Sequence, residues 1–159
     1  MTGLEDLYRE IVLDHYRSPR NRGELPAPPA HRTEGFNPLC GDEIVVYLQV
    51  DGDVITDVKI GGQGCSISQS SASMMSAAIK GKTVQEARSL TRAFKAMMSI
   101  HESTLDGADA DTTPDPAIRL GDLEALRGVA RVPVRIKCAT LSWNTLAQGL
   151  DEAEDDIAV

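Results

Sequence analysis

An α+β fold, in which a small antiparallel sheet is covered on one face by helices, is the architecture this sequence predicts. Three observations lead to it: helical periodicity in the first residues, two β-branched runs joined by Asp51-Gly52, and a return to helical periodicity after Gly64. At 159 residues with 42% hydrophobic content, the chain suits one domain over 1–159 built around one core. Aromatic residues make up only 4%, so Ile, Leu, Val, Met and Ala must form most of that core.

Thr2-Gly3-Leu4-Glu5 has the pattern of a capping box, so a helix is expected to start there. Leu4, Leu7, Tyr8, Ile11, Val12 and His15 follow at helical spacing until Ser18-Pro19 ends the run. His15 reads as a satisfied boundary residue rather than a catalyst. Pro19, Pro26, Pro28, Pro29 and Pro38 predict an extended connector over 19–38. EIVVYLQV (43–50) and VITDVKI (54–60), with Asp51-Gly52 between them, predict a β-hairpin. Gly61, Gly62 and Gly64 interrupt the pattern ahead of Cys65, and Ile67, Met74, Met75 and Ile79 then define a helix closed by Gly81.

A second capping box, Thr83 to Glu86, opens a helix carrying Ala87, Leu90, Phe94, Met97 and Met98, a stripe that reads as core. Residues 103–116, with four Asp, two Pro and one Gly, predict an exposed loop. A short helix is expected around Asp122 to Leu126. From Lys137 to Ala153, Trp143, Leu146, Ala147 and Leu150 share one helical face.

The formal net charge of -8 argues against a nucleic-acid partner, because neutralising phosphates needs a clustered basic face. Arg17, Arg20 and Arg22 form the densest basic run and read as a solvated turn. Asp151, Glu152, Glu154, Asp155 and Asp156 make an acidic C-terminal tail, read as a solvated helix end or a frayed tail. No stretch approaches the about 20 apolar residues of a membrane span, and the first residues lack a secretory pattern, so a soluble cytoplasmic protein is expected. In a reducing compartment three cysteines point to metal binding or sulfur chemistry ahead of a disulfide framework.

Gly81-Lys82-Thr83 resembles the end of a phosphate-binding loop, but Ser76 stands where that motif requires glycine. His15, His31 and His101 have no fixed spacing to one another or to a cysteine. Cys40, Cys65 and Cys138 remain, and none forms a CxxC knuckle. Their settings carry more information than their spacing. Cys40 precedes a strand, Cys65 follows loop glycines and precedes a helix, and Cys138 is expected at a helix start. A helix N-terminus favours a thiolate. Asp42, two residues after Cys40, is expected on the same side of the strand. Three thiolates and a carboxylate match tetrahedral Zn2+, and Arg135 and Lys137 near Cys138 could balance the surplus negative charge.

Four segments, LDHYRSPRNRG, NPLCGDEI, GQGCSISQSSAS and KCATLSW, occur in the order found in the U-type iron-sulfur cluster assembly proteins and cover the chain from about Leu4 to Trp143. The chain resembles that family and, within it, the SufU branch. The resemblance implies an IscU-like fold with about three strands, and metal ligands at Cys40, Asp42, Cys65 and Cys138. It implies a SufS-type cysteine desulfurase as partner, with other Suf assembly proteins as further candidates. It also implies that Cys40 accepts sulfur, released from zinc when the desulfurase docks. Arg135 matches a family arginine near the desulfurase contact, and Lys137 would support the anionic site.

The chain departs from the IscU branch at two places: Lys137 stands where that branch has histidine, and Arg131-Val132-Pro133-Val134-Arg135 replaces its chaperone-binding stretch. The acidic segment of about 103–121 resembles an insertion that marks SufU proteins. Two alternatives stay open: a scaffold assembling a [2Fe-2S] cluster on the same residues, and an interaction module with a structural metal.

Overall fold

The structure, a computed structural model, describes residues 2–26, 30–38, 41–98, 121–131 and 133–158. Helix α1 spans Thr2–Arg17 and is followed by strands β1 (His31–Asn37), β2 (Asp42–Asp51) and β3 (Val54–Gln63). Helices α2 (Ser66–Ile79) and α3 (Val84–Met98) come next, then a 3-10 helix over Gly121–Arg131 and the long helix α4 (Pro133–Ala158).

The strands form an antiparallel sheet in the order β1-β2-β3. Asp51 to Val54 closes the expected hairpin, with Gly52 at φ 64°, where glycine carries no Cβ penalty. A register irregularity falls between Gln49 and Val50. Ile44, Val46 and Leu48 of β2 and Ile55, Val58 and Ile60 of β3 face a common core with Met74, Met75, Ile79, Phe94, Trp143, Leu146 and Leu150. Phe94 and Trp143 stack at 4.7 Å between ring centroids. The opposite face carries exposed Arg32, Glu34, Phe36 and Glu43, so the helices cover one face as expected.

Three expectations need correction. Residues 31–37 of the expected connector form β1, paired from His31↔Leu48 to Asn37↔Asp42. Its sequence, HRTEGFN, has a polar inner row of Thr33 and Asn37 and therefore lacks the apolar alternation that marks a strand. The short helix is a 3-10 segment reaching Arg131. The last helix begins at Pro133, which suits the first turn because proline lacks the N–H that is unbonded there. The loop over 103–116, the acidic insertion of about 103–121 and the side chains of Thr2 and Glu5 lie outside the described residues.

Helix α2 is small, polar and yet buried: Ser68, Ser70, Ser71, Ser73 and Ser76 are all inside. Each hydroxyl is satisfied. Ser70 donates to the Val12 carbonyl at 2.8 Å, and Ser71 donates to the Ala139 carbonyl at 2.6 Å while accepting the Trp143 indole N–H at 3.1 Å. Ser73 accepts the Arg20 backbone N–H and bonds His15 Nδ1, both at 2.8 Å, so His15 is satisfied as expected, although it is buried rather than at the boundary. Small side chains let α1 and α4 approach α2 closely, and directional bonds fix its position where apolar packing alone would allow sliding. The helix whose N-terminus carries Cys65 is thereby anchored on two sides.

Candidate metal centre

Asp42 begins β2, Cys65 is the N-cap of α2, and Cys138 lies on α4. These three elements meet at one end of the sheet, and ligand atoms of the three side chains all lie within 4.8 Å of one another. Asp42 and Cys138 are fully buried, and Cys65 is half-buried. One Asp42 oxygen accepts the Cys65 backbone N–H at 2.9 Å, and the other lies 3.9 Å from the Cys65 sulfur. The Asn37 amide donates to the Cys138 sulfur at 3.8 Å.

The donors fit a metal ion. Two ligands on one tetrahedral ion at about 2.0–2.3 Å stand roughly 3.3–3.8 Å apart, so the Asp42 to Cys65 separation needs little contraction. Chemistry agrees with geometry, because a fully buried carboxylate next to two thiols needs a compensating cation. Among the described residues the ion pairs lie between partly or fully exposed side chains, and none reaches Asp42.

Glycine makes the approach feasible. A Cβ on Gly64 would stand 2.5 Å from an Asp42 oxygen and 2.6 Å from the Ser68 hydroxyl. At Gly62, φ is +103°, and a Cβ there would collide with the Glu43 carbonyl. The turn that leads β3 into α2 can therefore pass over the start of β2 only without side chains at these positions.

Cys40 lies outside the described residues. The strand-alternation argument linking it to Asp42 does not apply, because β2 begins at Asp42 and Gly41 has φ 69°, outside the extended range. Cys138 is not at a helix start: with α4 beginning at Pro133, it sits in the second turn, where its own N–H belongs to the helix and the end-charge effect has faded. Cys65 does hold the expected N-terminal position. Arg135 borders an open depression of about 440 Å³ together with Cys65, Ser66, Ile67, Gly128 and Val129. Lys137 is exposed and forms no ion pair with Asp42 among the described residues.

Asn37 was missed by sequence reasoning. Only its place in FNPLCGDEI hinted at it, since the β1-β2 register that sets it opposite Asp42 was not legible.

An IscU-like sheet with donors from a strand start, a helix cap and the final helix defines a class of small metal-handling domain. Residues 7–139 match the family described as NifU-like N-terminal domain, and the chain belongs to that family. It is 45% identical over 151 residues to the zinc-dependent sulfurtransferase SufU of Bacillus subtilis, covering 95% of this chain and 94% of that protein. It is 38% identical to the iron-sulfur cluster assembly scaffold protein IscU of Streptococcus pyogenes, over 94% of this chain and 86% of the relative. Among solved structures, a Fervidobacterium islandicum protein described as a candidate iron-sulfur cluster assembly scaffold for the SUF system superposes with TM-score 0.74 at 34% identity, covering 93% of this chain and 99% of that one. The resemblance drawn from the four motifs holds.

Proposed function

We propose that this chain is a zinc-dependent sulfurtransferase of iron-sulfur cluster assembly, taking persulfide sulfur from a SufS-type cysteine desulfurase in the cytoplasm. The observation that supports it is the convergence of Asp42, Cys65 and Cys138 in a chain so similar to a relative named for that activity. No helix among the described residues is long and apolar enough to cross a membrane.

In this reading Asp42, Cys65 and Cys138 hold Zn2+ with Cys40 as the fourth donor. Bound there, zinc supplies compensating positive charge and keeps its sulfur ligands as thiolates. Cys40 is the acceptor. Its thiolate attacks the outer sulfur of the partner's persulfide, a new S–S bond forms on Cys40, and the partner's cysteine leaves as a thiolate. The exchange is balanced without an external oxidant. Arg135, at the rim of the depression beside Cys65, serves as a docking contact for the desulfurase. Lys137 contributes at most a long-range charge from the surface.

Metal and acid-labile sulfide analysis of anaerobically purified protein tests this reading. About one zinc per chain with no sulfide is expected, together with stimulation of a SufS-type desulfurase that Cys40→Ala abolishes. Iron with matching sulfide would instead establish a [2Fe-2S] scaffold on the same residues, the reading that the IscU-named relative favours.

A further inference from the structure

We infer that Asn37 is a positioning residue for the metal centre, donating its side-chain N–H to the Cys138 sulfur and holding that sulfur as a fixed ligand. The inference rests on the proposed metal site and concerns a residue outside its ligand set.

Register supplies the first argument. Asn37 is the last residue of β1 and pairs directly with Asp42, the first residue of β2. Cross-strand partners leave a sheet on the same face, so one pair delivers a metal ligand and a donor to a second ligand. Burial supplies the next. Asn37 is 5% exposed and Cys138 0%, which leaves solvent little access to this sulfur.

Chemistry fixes the direction of the bond. A metal-bound thiolate has no proton and can only accept, so the amide must present nitrogen to it, as in the Nδ2 to Sγ contact of 3.8 Å. An N–H on sulfur draws electron density away from it and lowers its nucleophilicity. Cys65 differs, being half-buried at the edge of the open depression. Cys138 is thus the thiol that the fold withholds from sulfur exchange, and Asn37 is the group that holds it there.

The wild-type protein loaded with cadmium-113 gives the decisive readout. Couplings from cadmium to the Cys138 β-protons report ligation, and a through-bond coupling from cadmium to the Asn37 side-chain amide protons reports the N–H···S bond. Both are expected. Ligation by Cys138 without the amide coupling overturns this inference and leaves the metal site intact, whereas absence of Cys138 ligation removes the metal-site reading and this inference with it.

Two variants extend the test. Asn37→Ala and Asn37→Asp should lower zinc affinity by about 10–100-fold, the range for loss of a supporting contact. The cobalt-substituted variants should also show a shifted sulfur-to-metal charge-transfer band. An unchanged band with affinity within about twofold of wild type overturns the proposal. A role limited to packing would not produce the amide coupling.

Discussion

Helices α2 and α3 begin in opposite ways. At α3 the Thr83 hydroxyl accepts the Glu86 N–H at 3.0 Å, and the Glu86 carboxylate accepts the Thr83 N–H at 3.1 Å. Two free donors are satisfied within four residues. At α2 the N-cap is Cys65, which makes no side-chain cap bond, and the first turn holds no acidic residue. Its carboxylate comes from Asp42, at the start of strand β2. The comparison separates a helix start optimised for stability from one that presents a thiol and a carboxylate to the same point.

The largest effects should come from changing what α2 presents. Cys65→Ser or Cys138→Ser should weaken zinc binding by more than the roughly 10–100-fold expected for loss of a supporting contact, because each removes a ligand outright. Chelator competition measures this. Retention of wild-type affinity by either variant would exclude that cysteine from the site. Next comes Gly64→Ala, which sets a methyl group against Asp42 and Ser68. It should destabilise the chain by about 1–3 kcal/mol, the usual range for forced overpacking, and lower zinc affinity as Asp42 is displaced. Denaturant unfolding and metal titration test the two parts separately, and a fully neutral Gly64→Ala would show that the turn can yield without moving the carboxylate.

The next two effects oppose each other. Thr83→Ala should cost α3 about 1 kcal/mol, a typical cap loss. In metal-free protein Cys65→Ser should have the opposite sign, because serine is a strong N-cap and its oxygen can accept an N–H in the first turn of α2. The gain should be about 0.5–1 kcal/mol. Urea unfolding with zinc removed reads both. A destabilised metal-free Cys65→Ser would mean that the thiol contributes packing at this position beyond its role as a ligand.

The same contrast explains what was legible in the sequence. The Thr83 capping box lies within four residues and emerged as expected, as did the β2-β3 hairpin signalled by Asp51-Gly52. The Trp143, Leu146 and Leu150 face of α4 is buried as its periodicity predicted. Strand β1 was not legible, since its pairing is stabilised by β2 and its covering helix rather than by its own residues. The apolar periodicity of α4 is visible only from about Lys137, so its start at Pro133, which carries no periodic signal of its own, comes about one turn earlier than expected and puts Cys138 in the second turn. Asp42, Cys65 and Cys138 could be nominated by residue type and family likeness. Their convergence, and the part played by Asn37, depend on a register between distant segments that no local pattern encodes.

The smallest expected effect sharpens the comparison from the α3 side. Hydrogen bonds from the Thr83 backbone N–H and then from its side chain hold the Glu86 carboxyl below its ordinary value of 4.5, and Lys82 adds to this, while slight desolvation opposes it. A carboxyl with a lowered folded-state value binds its proton more readily in the unfolded chain. The stability it contributes is therefore complete above about 4.5 and is lost as the pH falls from there through the lowered value. Glu86→Gln keeps a neutral acceptor for the Thr83 N–H but has no charge to lose. Wild type should be the more stable of the two at neutral pH, and their unfolding midpoints should converge as Glu86 protonates. Titrations that Glu86→Gln leaves untouched, including those at the metal centre, cancel between the two proteins. A difference that stays constant down to the lowest pH would show that the Glu86 charge adds nothing to the cap, leaving α3 distinguished from α2 by hydrogen-bond geometry alone.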